Sequence, residues 1–340
     1  MRRTQLAAML LAVGVMLGIF LTVVLDSVAR QSHQQASAIT GVAEPFTQVA
    51  PGTTETFSLV SAELNRTFLL SRPATPVPAA GYPVIFMFHG WQETAAQMRD
   101  YSQMDHADAL VVYADGIARA WAGGPYSKTN QNGGDEVLVR DILARLSATY
   151  PIDGQRVFAV GLSNGGGFTA LLSCRAPDII HAVAEVSAAN YSAVRRNCSP
   201  TPVPTLSIHG TNDGVMHFDG GTRHGSPYDA VPAARRFDSN RNGCTGENII
   251  PQGPAIDYYQ QQGCQVPTDF YTIKGGVHIW DGAPADANAS VPKGFATDKV
   301  LEFFGVGRQP EQPVEPPPPA PPEPAPQPEE PVPPELPELP

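Results

Sequence analysis

Six short apolar runs constrain the fold of this chain most strongly. Each is apolar along nearly its whole length rather than at alternate positions, which is typical of strands buried on both faces of a parallel sheet. Longer stretches separate the runs, and one of them, 136–149, carries apolar residues at helical spacing. This alternation predicts an α/β domain with a doubly wound, mostly parallel sheet. The runs lie at 84–88, 109–113, 156–160, 182–186, 205–208 and 269–273.

We expect one folded domain at 52–307, preceded by a flexible linker at 30–51. Within the domain, short apolar runs bounded by turn residues predict further strands, and apolar residues at helical spacing predict further helices. The additional strands are expected at 55–60 and 64–70, and the additional helices at 168–172 and 298–304.

The first 29 residues predict export. Arg2 and Arg3 precede an uncharged, mostly apolar run at 4–25, and Ser27-Val28-Ala29 offers small residues for cleavage, as in a signal peptide. The run is also about as long as the roughly 20 residues of a membrane-spanning helix, and arginines on its first side would keep that side in the cytoplasm. A cleaved signal peptide and a retained N-terminal membrane anchor both remain open. Either one places the domain outside the cytoplasm, secreted or in the cell envelope.

The end of the chain has a different composition. Of the last 32 residues, 16 are proline and seven are glutamate. Such a segment has little to bury and few backbone donors, so we predict an extended, disordered tail at 308–340 that serves as a spacer or contacts a cell wall. The formal net charge of the chain is −11. This acidic balance argues against nucleic acid as a partner.

A serine between two glycines follows the third run. Gly161, Ser163 and Gly165 fit the pattern of a nucleophile elbow, in which a strand turns sharply into a helix and presents a serine hydroxyl. Side chains two residues before and after the serine would collide in so tight a turn, which explains the glycines. The pattern occurs by chance in chains rich in glycine, but here a buried strand precedes it and a helical stretch follows. We predict that Ser163 is a nucleophile.

A serine nucleophile requires a base and an orienting acid, which follow it in the order acid, then histidine, in this fold. Asp213 lies just after the run at 205–208, and His278 just after the run at 269–273. We therefore predict a triad of Ser163, Asp213 and His278. Asp219 is the alternative acid.

Two backbone N–H groups are expected to stabilise the oxyanion of the reaction. One belongs to Asn164, at the start of the helix after the serine, and the other to Trp91, in the loop after the run at 84–88. His89 and His209 each follow a strand and precede glycine, and we expect them to shape loops. No cofactor is expected.

A metal site is an alternative interpretation of the segment 213–224. His217 and His224, with Asp213 and Asp219, could imitate a metal cluster. Their spacing matches no common ligand pattern, so no metal is expected.

Five motifs occur in order along residues 55–305: HGW at 89–91 with TAAQ at 94–97, VYADGIARAW at 112–121, GLSNGG at 161–166, HGTNDGVMHFDGG at 209–221 and GGVHIWDG at 275–282. Together they resemble the secreted polyhydroxybutyrate depolymerase and feruloyl esterase group, related to carbohydrate esterase family 1. This resemblance implies the α/β-hydrolase fold and the same triad. Trp91 departs from the family, which more often has a small residue or cysteine there, and Asp281 stands where proline is common.

Four cysteines, Cys174, Cys198, Cys244 and Cys264, are expected to form disulfides in an exported protein. Three pairings are open from the residues alone. The family resemblance implies the sequential one, Cys174 with Cys198 and Cys244 with Cys264. A metal or redox role is not expected, because no two cysteines are separated by only two residues.

We conclude from the sequence that the chain is an exported serine esterase that works through an acyl-enzyme. The resemblance implies hydroxyalkanoate, feruloyl or acetyl esters, as small molecules, polyesters or acylated polysaccharides. One alternative is a cell-envelope acyltransferase on the same fold, which passes the acyl group to another hydroxyl. A second is an inactive, wall-associated binding module.

Overall fold

The computed structural model describes residues 45–130 and 133–309. The predicted N-terminal signal or anchor lies outside these residues, as does the predicted tail beyond residue 309. None of the helices in the described part is long and apolar enough to cross a membrane.

A ten-stranded sheet forms the centre of the described structure, in the order β1-β2-β4-β3-β5-β6-β7-β12-β11-β10. The six strands from β4 to β12 in this order are parallel, and antiparallel pairs extend the sheet at both edges. The eight predicted strands are confirmed. The strands are β1 (Thr54–Ser61), β2 (Leu64–Ser71), β3 (Tyr82–Phe88), β4 (Leu110–Ala114), β5 (Ile152–Leu162), β6 (Ala182–Val186), β7 (Thr205–Gly210), β8 (Gly221–Arg223), β9 (Ser226–Tyr228), β10 (Gly246–Pro251), β11 (Ile256–Gln262) and β12 (Thr268–Ile273).

Helices cover both faces of the sheet, as a doubly wound fold requires. They are α1 (Ala95–Ser102), α2 (Gly134–Thr149), α3 (Asn164–Arg175), α4 (Val231–Arg241) and α5 (Phe295–Phe304). Strand β3 shows the two layers clearly, because Phe86 packs in the core with α2 and α3 while Met87 packs in the core with α1 and α5. The three predicted helices are confirmed, each longer than its apolar pattern.

Several elements were not predicted, and each has few apolar residues to signal it. Helix α4 buries Arg235 and Asp238 along with two small apolar side chains, so its buried face is half charged. Strands β10 and β11 form an antiparallel hairpin that extends the sheet beyond β12, in a segment for which we predicted no element. Strands β8 and β9 form a separate small hairpin.

Both predicted domain boundaries need correction. Val49 is fully buried and Phe46 packs against Phe57 and Phe68, so packing begins inside the predicted linker. At the other end, Gln309 donates its backbone N–H to the carbonyl oxygen of His106 at 2.7 Å. Composition indicated where the polar and proline-rich stretches lie. It could not show that the residues of each stretch next to the domain pack or form hydrogen bonds with it.

Two disulfides are present, Cys174–Cys198 and Cys244–Cys264. This is the pairing that the family resemblance implied. The first connects the end of α3 to the segment before β7. The second closes the base of the β10–β11 hairpin, which has little apolar surface of its own to stabilise it.

Candidate active site

Strand β5 turns into helix α3 at Ser163. The serine has a φ of 55°, a conformation that costs energy for any residue with a side chain. A Cβ added to Gly161 would lie 2.2 Å from the carbonyl group of Gly165, and one added to Gly165 would lie 2.0 Å from the carbonyl oxygen of Phe88. Both glycines are therefore required by close backbone contacts, as the elbow pattern predicted.

Asp213 and His278 meet at the carboxyl edge of the sheet. Each follows one of two adjacent parallel strands, β7 and β12. The loops after these strands are joined by a hydrogen bond from the backbone N–H of Asn212 to the carbonyl oxygen of Gly276, at 2.9 Å. His278 Nδ1 lies 2.7 Å from Asp213 Oδ2. The alternative acid, Asp219, makes no hydrogen bond to His278 in the described part of the chain.

The segment after β6 connects the elbow to the loop that carries the histidine. Ser163 donates its backbone N–H to Val186, and its carbonyl oxygen accepts from Ala189, at 3.0 and 2.8 Å. The next residue along the segment, Ser187, donates its hydroxyl to the carbonyl oxygen of Ile279 at 3.1 Å. No hydrogen bond joins Ser163 Oγ to His278 among the described residues. Such bonds are commonly long before substrate binds.

Asp213 accepts hydrogen bonds at both carboxylate oxygens. Its Oδ1 accepts from the backbone N–H groups of Val215 and Met216, each at 2.8 Å. Its Oδ2 lies near two imidazoles, His278 at 2.7 Å and His209 at 3.2 Å. Burial opposes ionisation, but the hydrogen bonds from His209 and His278 outweigh it and hold the pKa of Asp213 well below its ordinary value. The carboxylate is therefore ionised at neutral pH.

The two predicted oxyanion donors occupy different loops. Asn164 is the first residue of helix α3, so its backbone N–H has no acceptor within the helix. In the other loop, Gly90 donates to Glu93 Oε2 at 2.8 Å and Gln92 donates to the carbonyl oxygen of Arg119 at 2.9 Å. Between them, the N–H of Trp91 has no hydrogen-bond acceptor in the described part of the chain. Neither N–H group thus has an acceptor among the described residues.

Two side chains hold these loops in place. Asn164 Oδ1 accepts from the backbone N–H of Trp121 at 2.7 Å, and its Nδ2 donates to the carbonyl oxygen of Trp121 at 3.1 Å. His89 Nε2 accepts from the backbone N–H of Gly116 at 3.0 Å, and its Nδ1 lies 2.7 Å from the carbonyl oxygen of Gly90. Burial lowers the pKa of His89, which keeps it neutral. The predicted loop-shaping role of His89 fits these contacts, whereas the role of the Asn164 side chain had no signal in the sequence.

Trp91, in the loop after β3, forms an aromatic cluster with Tyr126 and His224. The indole of Trp91 is 37% exposed. It stacks on Tyr126 with ring centroids 4.8 Å apart, and the ring of His224 meets it edge-on at the same distance. His224 lies in the turn between β8 and β9, so the small hairpin reaches this loop. Within the described residues, no group of three or more His, Cys, Asp or Glu side chains could hold a metal ion.

Asp281 is a buried carboxyl group three residues after His278. It is 1% exposed, and its Oδ2 has no hydrogen-bond partner in the described structure. Burial, together with the nearby charges of Asp286 and Asp213, raises the pKa of Asp281 to about 8. The carboxyl group is therefore largely protonated at neutral pH. The sequence marked Asp281 only as a departure from proline.

The parallel sheet with helices on both faces, the serine elbow and the paired aspartate and histidine define the class of this domain: it has the α/β-hydrolase fold. Residues 75–203 match the profile of the family described as "Esterase PHB depolymerase". The chain is thus similar to the polyhydroxybutyrate depolymerase and feruloyl esterase group, which confirms the resemblance drawn from its motifs.

Individual relatives agree with this assignment. An Aspergillus niger protein named "Probable feruloyl esterase C" is 32% identical over 202 residues, and feruloyl esterase B of Piromyces equi is 28% identical over 213 residues. Each match covers 58% of this chain, and it covers 64% and 39% of the two relatives. The solved acetyl xylan esterase from Aspergillus awamori shares the fold, with a TM-score of 0.51 at 14% identity over 74% of this chain and 99% of that one.

The elbow predicts unequal effects of two glycine substitutions. In Gly165→Ala, the new methyl group would meet the carbonyl oxygen of Phe88, so either α3 or β3 must shift. We expect a loss of about 1–3 kcal/mol of unfolding free energy, as for other overpacked sites, measured by urea denaturation. The control, Gly154→Ala at the open end of β5, has no atom within 4 Å of the new Cβ and should be nearly neutral. Equal stability of the two variants would contradict the close contact.

Asp281 predicts a pH-dependent stability. Between the ordinary aspartate pKa of about 4 and its folded value of about 8, the folded chain holds a proton that the unfolded chain releases. The protonated Asp281 therefore makes its full contribution to the free energy of unfolding below about pH 4. This contribution is lost as the pH rises to about 8, at up to ~1.4 kcal/mol per pH unit.

The substitution Asp281→Asn should remove this contribution to the slope and stabilise the chain at pH 8. Urea denaturation from pH 5 to pH 9 measures the difference from the wild type. Asp100→Asn replaces an exposed carboxylate of α1 and serves as the control. Parallel curves for Asp281→Asn and the wild type would show that Asp281 is ionised throughout this range.

Proposed function

We propose that the chain is a serine esterase that hydrolyses carboxylic ester bonds through an acyl-enzyme. The observation that carries this proposal is the contact of 2.7 Å between His278 Nδ1 and Asp213 Oδ2, at the same edge of the sheet as the elbow serine. A histidine whose Nδ1–H is held by a carboxylate presents Nε2 as a base, which is what a serine hydroxyl of ordinary pKa requires.

The proposed reaction has two halves. His278 takes the proton of Ser163 as Oγ attacks the ester carbonyl carbon, and the alkoxide leaving group then departs with that proton. Water, activated by His278 in the same way, attacks the acyl-enzyme and releases the acid and the free serine. In both tetrahedral intermediates the N–H groups of Trp91 and Asn164 donate to the oxyanion. Asp213 stays ionised, orients the imidazole and stabilises its cationic form.

The proposal includes export to the cell envelope or the exterior. The apolar N-terminal segment and the two disulfides support it, because disulfides persist mainly outside the cytoplasm. The relatives named as feruloyl and acetyl xylan esterases support esters of acylated polysaccharides as substrates, beside hydroxyalkanoate esters. The aromatic cluster offers a flat, partly exposed surface for part of such a substrate.

The nucleophile is tested by Ser163→Ala. The variant should fold like the wild type and lose at least three orders of magnitude in kcat on a soluble ester, because no neighbouring group replaces the alkoxide. A fluorophosphonate probe should label the wild type and fail to label this variant. Ser147→Ala, at an exposed serine of α2, should retain labelling and turnover.

Two outcomes would overturn the proposal. Labelling of another serine would remove Ser163 from the mechanism. The products formed in the presence of millimolar sugar acceptors can be identified by mass spectrometry. If acylated acceptor rather than free acid were the main product, the chain would be a transferase and not a hydrolase.

Substrate contact by the aromatic cluster is tested by Trp91→Ala. The change keeps the backbone N–H and removes the exposed indole, so it separates the oxyanion donor from the aromatic surface. We expect kcat/KM to fall about tenfold for aryl-acyl esters, or ~1.4 kcal/mol of transition-state stabilisation, and less than threefold for an acetyl ester. Val137→Ala, at an equally exposed side chain of α2, is the control. Equal losses on both esters would show that the substitution damaged the oxyanion loop instead.

A further inference from the structure

His209 contacts the carboxylate of the predicted triad. It lies near the end of β7, four residues before Asp213, and is 1% exposed. Its Nε2 is 3.2 Å from Asp213 Oδ2, the same oxygen that receives the bond from His278. The sheet sets this position, because β7 pairs in parallel with β12 and aligns His209 with Thr272.

The surroundings of His209 decide which ring nitrogen carries the proton. Besides Asp213 Oδ2, its Nε2 lies 3.0 Å from the carbonyl oxygen of Met216. A carboxylate and a carbonyl oxygen can only accept hydrogen bonds, so a nitrogen that contacts both must be an N–H donor. Nε2 therefore carries the proton, with the carbonyl oxygen of Met216 as its nearer hydrogen-bond partner and Asp213 Oδ2 as its longer contact.

We propose that His209 is a positioning residue of the catalytic machinery, which donates a second hydrogen bond to Asp213 and divides its Oδ2 between two imidazoles. This inference rests on the proposed esterase function. Oδ1 already accepts two backbone N–H groups, from Val215 and Met216, so Oδ2 is the oxygen that remains for side chains. His209 prevents this oxygen from turning away from His278, and it withdraws part of the negative charge that Asp213 offers to His278.

Among the described residues, three titratable groups face Asp213: His209 from β7, and His278 and Asp281 from the loop after β12. Loss of the bond from His209 would leave the Asp213 carboxylate less stabilised and a stronger acceptor toward His278. The imidazolium form of His278 would gain stability, and its titration would move to higher pH. Asp281 titrates at about pH 8 and affects mainly the alkaline side of any pH profile.

Two neutral amides make a matched pair of variants. The Nε2 of glutamine can occupy the place of histidine Nε2, whereas the Nδ2 of asparagine corresponds to the place of Nδ1. His209→Gln therefore keeps a donor for Asp213, and His209→Asn removes it. We expect His209→Asn to lower kcat on a soluble ester ten- to a hundredfold with KM changed less than threefold, and His209→Gln to stay within fivefold of the wild type.

The decisive measurement is the titration of His278 by NMR, which does not depend on turnover. The midpoint should move upward by about half to one pH unit in His209→Asn and stay near the wild-type midpoint in His209→Gln. Equal midpoints in all three proteins, or equal shifts in both variants, would overturn the proposal. If the wild type hydrolyses no ester, the proposed function fails, and this titration still decides the role of His209.

A measurement on the wild type covers the case in which a variant fails to fold. Nitrogen-15 spectra of the folded chain distinguish the two neutral forms of an imidazole. The proposal requires His209 to carry its proton on Nε2 while its neighbour Asp213 is ionised. A spectrum with the proton on Nδ1 and a bare Nε2 would contradict the proposal without any substitution.

Discussion

The active-site geometry depends on a backbone approach that only glycine permits. Helix α3 begins so close to the end of β3 that a Cβ on Gly165 would lie 2.0 Å from the carbonyl oxygen of Phe88. This approach places the start of α3, which includes Asn164, beside the loop after β3 that carries Trp91. It also imposes the positive φ of Ser163, which hydrogen bonds to the end of β6 hold in place.

The second constraint is electrostatic and centres on Asp213. Two backbone N–H groups and two imidazoles surround one carboxylate, and together they offset the cost of burying its charge. Asp281, a few residues after His278, shows the opposite case. Its Oδ2 has no hydrogen-bond partner in the described structure, and its carboxyl group is largely protonated at neutral pH. These two buried aspartates differ in charge because hydrogen bonds hold Asp213 ionised, whereas burial and the charges of Asp286 and Asp213 raise the pKa of Asp281.

Some features distinguish this chain from the group it resembles. Trp91 adds an exposed indole to the oxyanion loop, where the β8–β9 hairpin and Tyr126 meet it. The oxyanion donor that we propose is the backbone N–H of Trp91. A different side chain at this position would change the substrate contacts and leave this donor in place. Specificity therefore has to be argued from these contacts, since one fold can carry many different activities.

Continuous apolar runs and glycine spacing report local structure directly, so the sequence was enough to predict the parallel core of the sheet, the elbow and the separate loops of Asp213 and His278. It did not indicate α4 or the β10–β11 hairpin, whose buried or paired residues are largely polar. Polar contacts between distant parts of the chain could be seen only in the folded structure. Examples are the contacts of His209 with Asp213 and of Asn164 with Trp121, and the buried ion pairs of Arg195 with Glu185 and Asp238. The spacing of polar residues along the sequence does not show which of them are buried. Their partners depend on which strands become neighbours in the sheet.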